Sequence, residues 1–298
     1  MALPSALLSR LADGPPLLLD GATGTELERR GVPTRLPLWS AAALDSHPEV
    51  VEAIHADYVA AGAELITANT FRTQRRSLEH AALGARAAEL CARAVALARR
   101  AAGERAWVLG SAPPLEDCYR PDLVPEASAL AREHAEHARA LVEAGVDAIL
   151  VETMNTRREA VAALEAARAA GAAALASFVC WEGARLLSGE PLSEALAAAS
   201  DAGARALLVN CLPPSNAEAC LDALAVAGLP FGVYCNLGEP EDTSGFRRSE
   251  DTAPAAFAAL ARGWLARGAR LVGGCCGTTP AHLAAVAAGL PGTRPAPG

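Results

Sequence analysis

The stretch EASALAREHAEHARALVEAG (126–145) is followed within three residues by AILVETM (148–154), and the reading of that pair decides the fold. The first segment repeats alanine and leucine at helical spacing, with glutamate and arginine on its other faces, and stops at Gly145, where a left-handed helix cap is expected. The second is a short apolar run of the kind that becomes a strand buried on both faces. The unit recurs along the whole chain. Alanine-rich stretches end at Gly14, Gly62, Gly103, Gly145, Gly171, Gly203, Gly228 and Gly268. The apolar runs after them are LLLDG (17–21), ELITANTF (64–71), AWVLGSA (106–112), AILVETM (148–154), AALASFVC (173–180), ALLVNC (206–211), FGVYCN (231–236) and LVGGCCG (271–277). Strand–helix alternation implies parallel pairing through right-handed crossovers. Eight units in roughly 280 residues fit a closed (β/α)8 barrel of the TIM type better than an open doubly wound sheet. One α/β barrel domain over residues 1–290 is therefore expected, with PGTRPAPG (291–298) as a disordered tail.

Composition narrows the function. The net charge of −8 and pI near 5.3 speak against a nucleic-acid partner or an anionic membrane surface. The chain contains no lysine, which removes Schiff-base chemistry and the P-loop lysine. Met1–Gly14 has a faint likeness to a secretory apolar region, but it lacks a basic leader, and Arg10 and Asp13 interrupt it. No apolar stretch reaches the roughly 20 residues that span a bilayer. A cytoplasmic protein is expected, and its eight cysteines then read as free thiols or metal ligands in preference to disulfides.

The chemistry-bearing residues gather at one end of the expected strands. Asp20 closes the first run, Asn69 and Thr70 the second, Ser111 the third and Glu152 the fourth. Cys211 closes the sixth, Asn236 the seventh, and Cys275 with Cys276 the eighth. In a parallel barrel those ends open on a single face, where active sites form. Strands six and eight are both even, so their inward residues can share a layer and Cys211 can approach Cys275 and Cys276. Two vicinal cysteines point to opposite faces of a regular strand, so both can serve one site only if the strand ends there. Gly273, Gly274 and Gly277 are read as supplying that freedom.

Three thiolates suit Zn2+ better than magnesium or calcium, and three protein ligands with one open position describe a catalytic site. Their charge leaves the metal a poor generator of hydroxide, but able to lower the pKa of a bound thiol and leave it nucleophilic. Alkyl transfer to sulfur follows more naturally than hydrolysis. The competing reading is a vicinal-cysteine redox switch, or a zinc-binding protein without methyl transfer. Cys91, Cys118 and Cys220 are read as buried packing residues, and Cys180 and Cys235 end strands without an assigned role.

At these residues the chain resembles the homocysteine S-methyltransferase family, which includes betaine-dependent enzymes. The resemblance runs from DGATGTELERRG (20–31) through LWSAAAL (38–44), ITANTFRT (66–73), LVETM (150–154) and LVNC (208–211) to GGCCGTTPAHL (273–283). It implies Cys211, Cys275 and Cys276 as zinc ligands and catalytic residues, with homocysteine sulfur at the open position and methionine as product. It places Asp20 and Glu152 at the substrate ammonium, where paired carboxylates hold a cation by charge-assisted hydrogen bonds. Backbone N–H groups near Gly21 and Ala22 are expected at the substrate carboxylate. Thr70 is expected among the substrate contacts, and Asn236 aligns with a family asparagine near the metal, here within YCNLGEP (234–240).

The partners implied are small molecules: homocysteine and a methyl donor. With one barrel and no cobalamin domain in the chain, a small onium donor is expected, S-methylmethionine ahead of betaine, against aromatic faces. Trp39, Phe71 and Tyr119 are the candidates. PPLEDCYRPDLVPE (113–126) replaces the glycine-rich stretch usual in S-methylmethionine enzymes, so the donor stays open between the two. The loop EPEDTSGFRRSED (239–251) follows strand seven and reads either as a cover for the site or as solvated surface.

Overall fold

The computed structural model describes residues 4–239, 247–248 and 253–290. The 291–298 tail and most of the 239–251 loop fall outside the described residues. Eight strands run parallel: β1 (Leu17–Leu18), β2 (Leu65–Ala68), β3 (Trp107–Ala112), β4 (Ala148–Met154), β5 (Ala174–Phe178), β6 (Leu207–Asn210), β7 (Phe231–Cys235) and β10 (Leu271–Gly274). A two-residue ribbon, β8 (Gly238–Glu239) with β9 (Arg247–Arg248), lies between the last two. The sheet order is β1-β10-β7-β6-β5-β4-β3-β2, and a parallel bridge from Leu19 to Leu65 brings its two edges together. This is a (β/α)8 barrel, with every expected run supplying a strand.

Strand alternation divides the apolar residues into two layers. Leu17, Leu19, Leu65, Leu109, Leu150, Leu175, Leu208 and Leu271 fill the barrel interior. Their neighbours Leu18, Ile66, Val108, Ile149, Val151, Leu207, Val209 and Val272 face the helices. The helical layer is alanine-rich where it meets the sheet, as at Ala94, Ala98, Ala160, Ala163 and Ala167, which lets helices sit close to the strands. Each fully buried leucine contributes about 1.5–3 kcal/mol of transfer free energy.

The faintly signal-like N-terminus has a structural use. Ser5–Ala12 forms a helix whose Leu7 and Leu11 join the interior cluster. Arg10 pairs with Glu64, just before β2, and Arg270, just before β10, donates to the Arg10 and Gly14 carbonyls. The helix therefore closes the N-terminal mouth of the barrel and leaves the opposite mouth for chemistry. Of the eight glycines read as left-handed caps, seven have positive φ; Gly14 does not. There the helix ends at Ala12 with Asp13 as its cap, and a Cβ on Gly14 would stand 2.7 Å from Arg10 Cδ, so glycine serves close approach instead. No described helix is long and apolar enough to cross a membrane.

Candidate metal and substrate site

Three thiols converge at the open mouth. β6 ends at Asn210, and Cys211 follows with φ 53°, a left-handed conformation that redirects its side chain away from strand alternation. β10 ends at Gly274, and the chain turns at once: Cys275 N donates to Cys235 O, and Thr278 N donates back to Cys275 O. The sulfurs of Cys211, Cys275 and Cys276 all lie within 4.8 Å of one another, with Cys211 Sγ 3.0 Å from Cys275 Sγ. Hydrogen bonds from Cys275 and Cys276 hold the Cys211 thiol well below its usual pKa, and their bonds to Cys211 in turn push Cys275 and Cys276 up. A convergent, soft, partly ionised donor set of this kind suits a thiophilic dication, which relieves the repulsion among the sulfurs.

The glycines beside the thiols act differently from expectation. Only Gly277 has positive φ, at 85°. Gly273 and Gly274 are needed for space: a Cβ on Gly273 would stand 2.6 Å from Leu19 Cβ, and one on Gly274 would collide with Thr278.

A cavity of about 590 Å³ opens above the sulfurs. Asp20, Gly21, Asn69, Ser111 and Glu152 line it together with the three cysteines, and so do Trp39, Phe71 and Tyr119. Burial pushes the Asp20 carboxyl up to about 8, against a 2.8 Å hydrogen bond from Thr67 N that favours the charged form. Burial likewise pushes Glu152 up to about 7, although the Ser111 and Tyr234 hydroxyls donate to its two oxygens. Two buried acids with bonds prepared for their charged forms are poised to ionise when a cation arrives between them.

Some expected residues stand elsewhere. Thr70 does not line the cavity; its hydroxyl bridges β2 to β3, donating to Ser111 O and accepting from Ser111 N, both at 2.9 Å. Asn236 is also off the cavity wall, and its Oδ1 accepts from Cys276 N at 3.1 Å. The Ala22 N–H, read as part of an anion nest, donates to Thr278 Oγ1 instead. Cys118, read as a packing residue, lines the cavity, while Cys91 is core and burial pushes its thiol up to about 12.

Tyr234, Asn210, Thr153 and Ser40 were not among the residues expected from the sequence, and they hold several that were. Tyr234, the tyrosine of β7, reaches Glu152 from inside the barrel, and its inward parity in FGVYC was the available signal. Asn210 holds Thr153, at φ 58°, through its amide to Thr153 Oγ1 and its carbonyl to Thr153 N. Trp39 at φ 46° completes a set of three non-glycine residues in left-handed backbone on the cavity wall. Strained conformations of this kind persist where surrounding bonds over-determine them. Ser40 and Asn69 exchange two hydrogen bonds, which accounts for the LWSAAAL and ITANT motifs together. The aromatic rings are arranged in pairs, Trp39 with Phe71 at 6.0 Å and Tyr119 with Trp181 at 4.9 Å.

Residues 17–290 match the homocysteine S-methyltransferase family. A homocysteine S-methyltransferase of Escherichia coli is 37% identical over 91% of this chain and 94% of its own length. A selenocysteine Se-methyltransferase of Brassica oleracea is 28% identical over 90% of this chain and 87% of its own. The metallated form of the Escherichia coli homocysteine methyltransferase MmuM superposes with a TM-score of 0.78 at 32% identity, covering 94% of this chain and 97% of that one.

Proposed function

This chain belongs to the homocysteine S-methyltransferase family, and we propose that it works with a zinc ion held by Cys211, Cys275 and Cys276 and a small onium donor. The reaction is transfer of a methyl group to the thiol of homocysteine, giving methionine. The observation that carries the metal reading is the mutual approach of three sulfurs within 4.8 Å at the floor of the cavity, one of them favoured as thiolate. That a relative of this similarity has a metallated form supports it. When bound there, zinc with three thiolates lowers the pKa of a substrate thiol and leaves its sulfur electron-rich.

The chain's own residues bind, orient and shield the reactants. Asp20 and Glu152 take the homocysteine ammonium, and Ser111 and Tyr234 hold Glu152 in the geometry that receives it. Gly21 lines the cavity at the end of β1 and meets the substrate through its backbone; its missing Cβ serves packing, since one would stand 2.7 Å from Thr278 Oγ1 and from the Tyr58 hydroxyl. Thr70 and Asn236 serve by positioning: one fixes Ser111, the other the Cys276 backbone. Trp39, Phe71 and Tyr119 present aromatic faces to the donor's methyl-bearing cation, S-methylmethionine first and betaine second. Holding donor methyl and acceptor sulfur in line in a water-poor cavity supplies most of the rate.

The test is metal content and turnover together. Reduced protein is expected to hold one zinc with three sulfur neighbours by X-ray absorption and to methylate homocysteine from S-methylmethionine. Cys211→Ala, Cys275→Ala and Cys276→Ala each lose both. Full turnover in a zinc-free variant, or no zinc uptake by reduced wild type, overturns the proposal.

A further inference from the structure

The wall that carries the aromatic residues also carries an arginine with no counter-charge among the described residues. Arg72 lines the cavity, with its guanidinium carbon 5.6 Å from the Phe71 ring centre. Its Nε is buried without a hydrogen-bond partner, and no carboxylate among the described residues pairs with it. Its neighbours in the same stretch behave ordinarily: Arg75 pairs with Glu136, and Arg76 with Glu116 and Glu133. Asp117 also lines the cavity but spends Oδ1 on Tyr119 N at 2.9 Å. Burial raises the Cys118 thiol, with the Arg72 charge opposing, so the guanidinium lies near the 113–126 segment as well as near Phe71.

A bare guanidinium is a poor neighbour for a cationic donor. Two like charges in a desolvated cavity repel strongly, whereas a planar donor fork facing a carboxylate forms a bidentate, charge-assisted pair. Placing an unpaired arginine beside the aromatic faces therefore selects a ligand that brings its own anion. We propose that Arg72 is the receptor for the carboxylate of the methyl donor, a specificity-determining residue that admits zwitterionic oniums and rejects those without a carboxylate. The proposal rests on the onium-donor reading above. It assigns the two ends of the donor to one wall: cation on Trp39, Phe71 and Tyr119, anion on Arg72.

The experiment compares Arg72→Gln and Arg72→Lys with wild type, using zinc-loaded enzyme and two sulfonium donors, with betaine tried on wild type as well. One donor is S-methylmethionine and the other its decarboxylated counterpart, (3-aminopropyl)dimethylsulfonium. In Arg72→Gln the KM for S-methylmethionine rises about 10- to 100-fold, while the KM for homocysteine and kcat at saturating donor stay within a few-fold. Arg72→Lys, which keeps the charge and loses the fork, falls between. Wild type prefers the carboxylate-bearing donor by a similar factor, and Arg72→Gln loses that preference. An unchanged donor KM, a rise confined to the homocysteine KM, or discrimination that survives in Arg72→Gln overturns the assignment while leaving the onium reading standing. Wild type that moves a methyl from neither S-methylmethionine nor betaine overturns both.

Discussion

The Tyr234 hydroxyl donates to Glu152 Oε2 at 3.1 Å, linking the middle of the barrel interior to an acid at the cavity wall. That bond favours the charged carboxylate against the burial that opposes it. Tyr234→Phe removes it and leaves Glu152 harder to ionise. The homocysteine KM at pH 7 is expected to rise about tenfold, as for loss of one hydrogen bond to a charged group. The pH at which binding sets in should move upward with it. A variant with the wild-type KM–pH profile would detach Tyr234 from substrate binding.

The raised acids set the sign of the pH dependence. Asp20 at about 8 and Glu152 at about 7 are largely neutral below those values, and an ammonium pairs with the charged forms. Affinity for the amino-acid substrate therefore increases as pH rises through 7 to 8, and binding releases protons below that range. Methionine is the better probe, because it has no thiol proton to confuse the count. Calorimetry in buffers of different ionisation enthalpy at pH 6.5 should find between about one and two protons released per methionine bound, since both acids are mostly neutral there. Proton uptake, or none, would contradict ionisation of these acids on binding.

The same burial predicts a trade of stability against binding at Asp20. Its pKa in the folded chain lies above the ordinary carboxyl value of 3.8, so folding takes up a proton. The resulting cost is absent below pH 4, grows as pH rises toward about 8, and is constant above that. Asp20→Asn keeps an acceptor for Thr67 N and removes the cost. The substrate-free variant is expected to melt about 2 °C or more higher at pH 8, with no gain at pH 4. Its homocysteine KM should rise more than about tenfold. Equal melting temperatures at both pH values would show that Asp20 is not held against its charge.

The fold was legible because the repeat is regular: a glycine with positive φ, such as Gly145 or Gly203, then a β-branched or leucine run that alternates between Leu150 inside and Val151 outside. The direction of residues just past the strand ends was less legible. Strand parity does not govern a residue such as Cys211 at φ 53°, nor a turn such as Cys275–Thr278. Convergence of the three thiols could be anticipated from the shared layer of β6 and β10, but not the retreat of Thr70 and Asn236 behind the wall. Both are short polar side chains whose hydrogen-bond partners, Ser111 and Cys276, come from distant segments. Cys118 and Arg72 were opaque for a similar reason: their exposure to the cavity depends on how loops after β2 and β3 fold together, and no periodicity records that.

Asn236 provides the last test, because it separates holding the metal from touching the substrate. Its Oδ1 accepts the Cys276 N–H at 3.1 Å, its own N–H donates to Leu212 O, and its Nδ2 is buried without a partner. The side chain thus ties the turn after β10 to the end of β7, and so fixes where Cys276 presents its sulfur. Asn236→Ala leaves that N–H unsatisfied and lets the turn relax. By analogy with other groups that orient metal ligands, zinc affinity is expected to fall about 10- to 100-fold in chelator competition. With zinc supplied in excess, kcat and the homocysteine KM should return to within a few-fold of wild type, since Asn236 lines no part of the cavity. A variant with unchanged zinc affinity but a raised homocysteine KM would instead put Asn236 in contact with the substrate, and the wall described for the cavity would have to move when substrate binds.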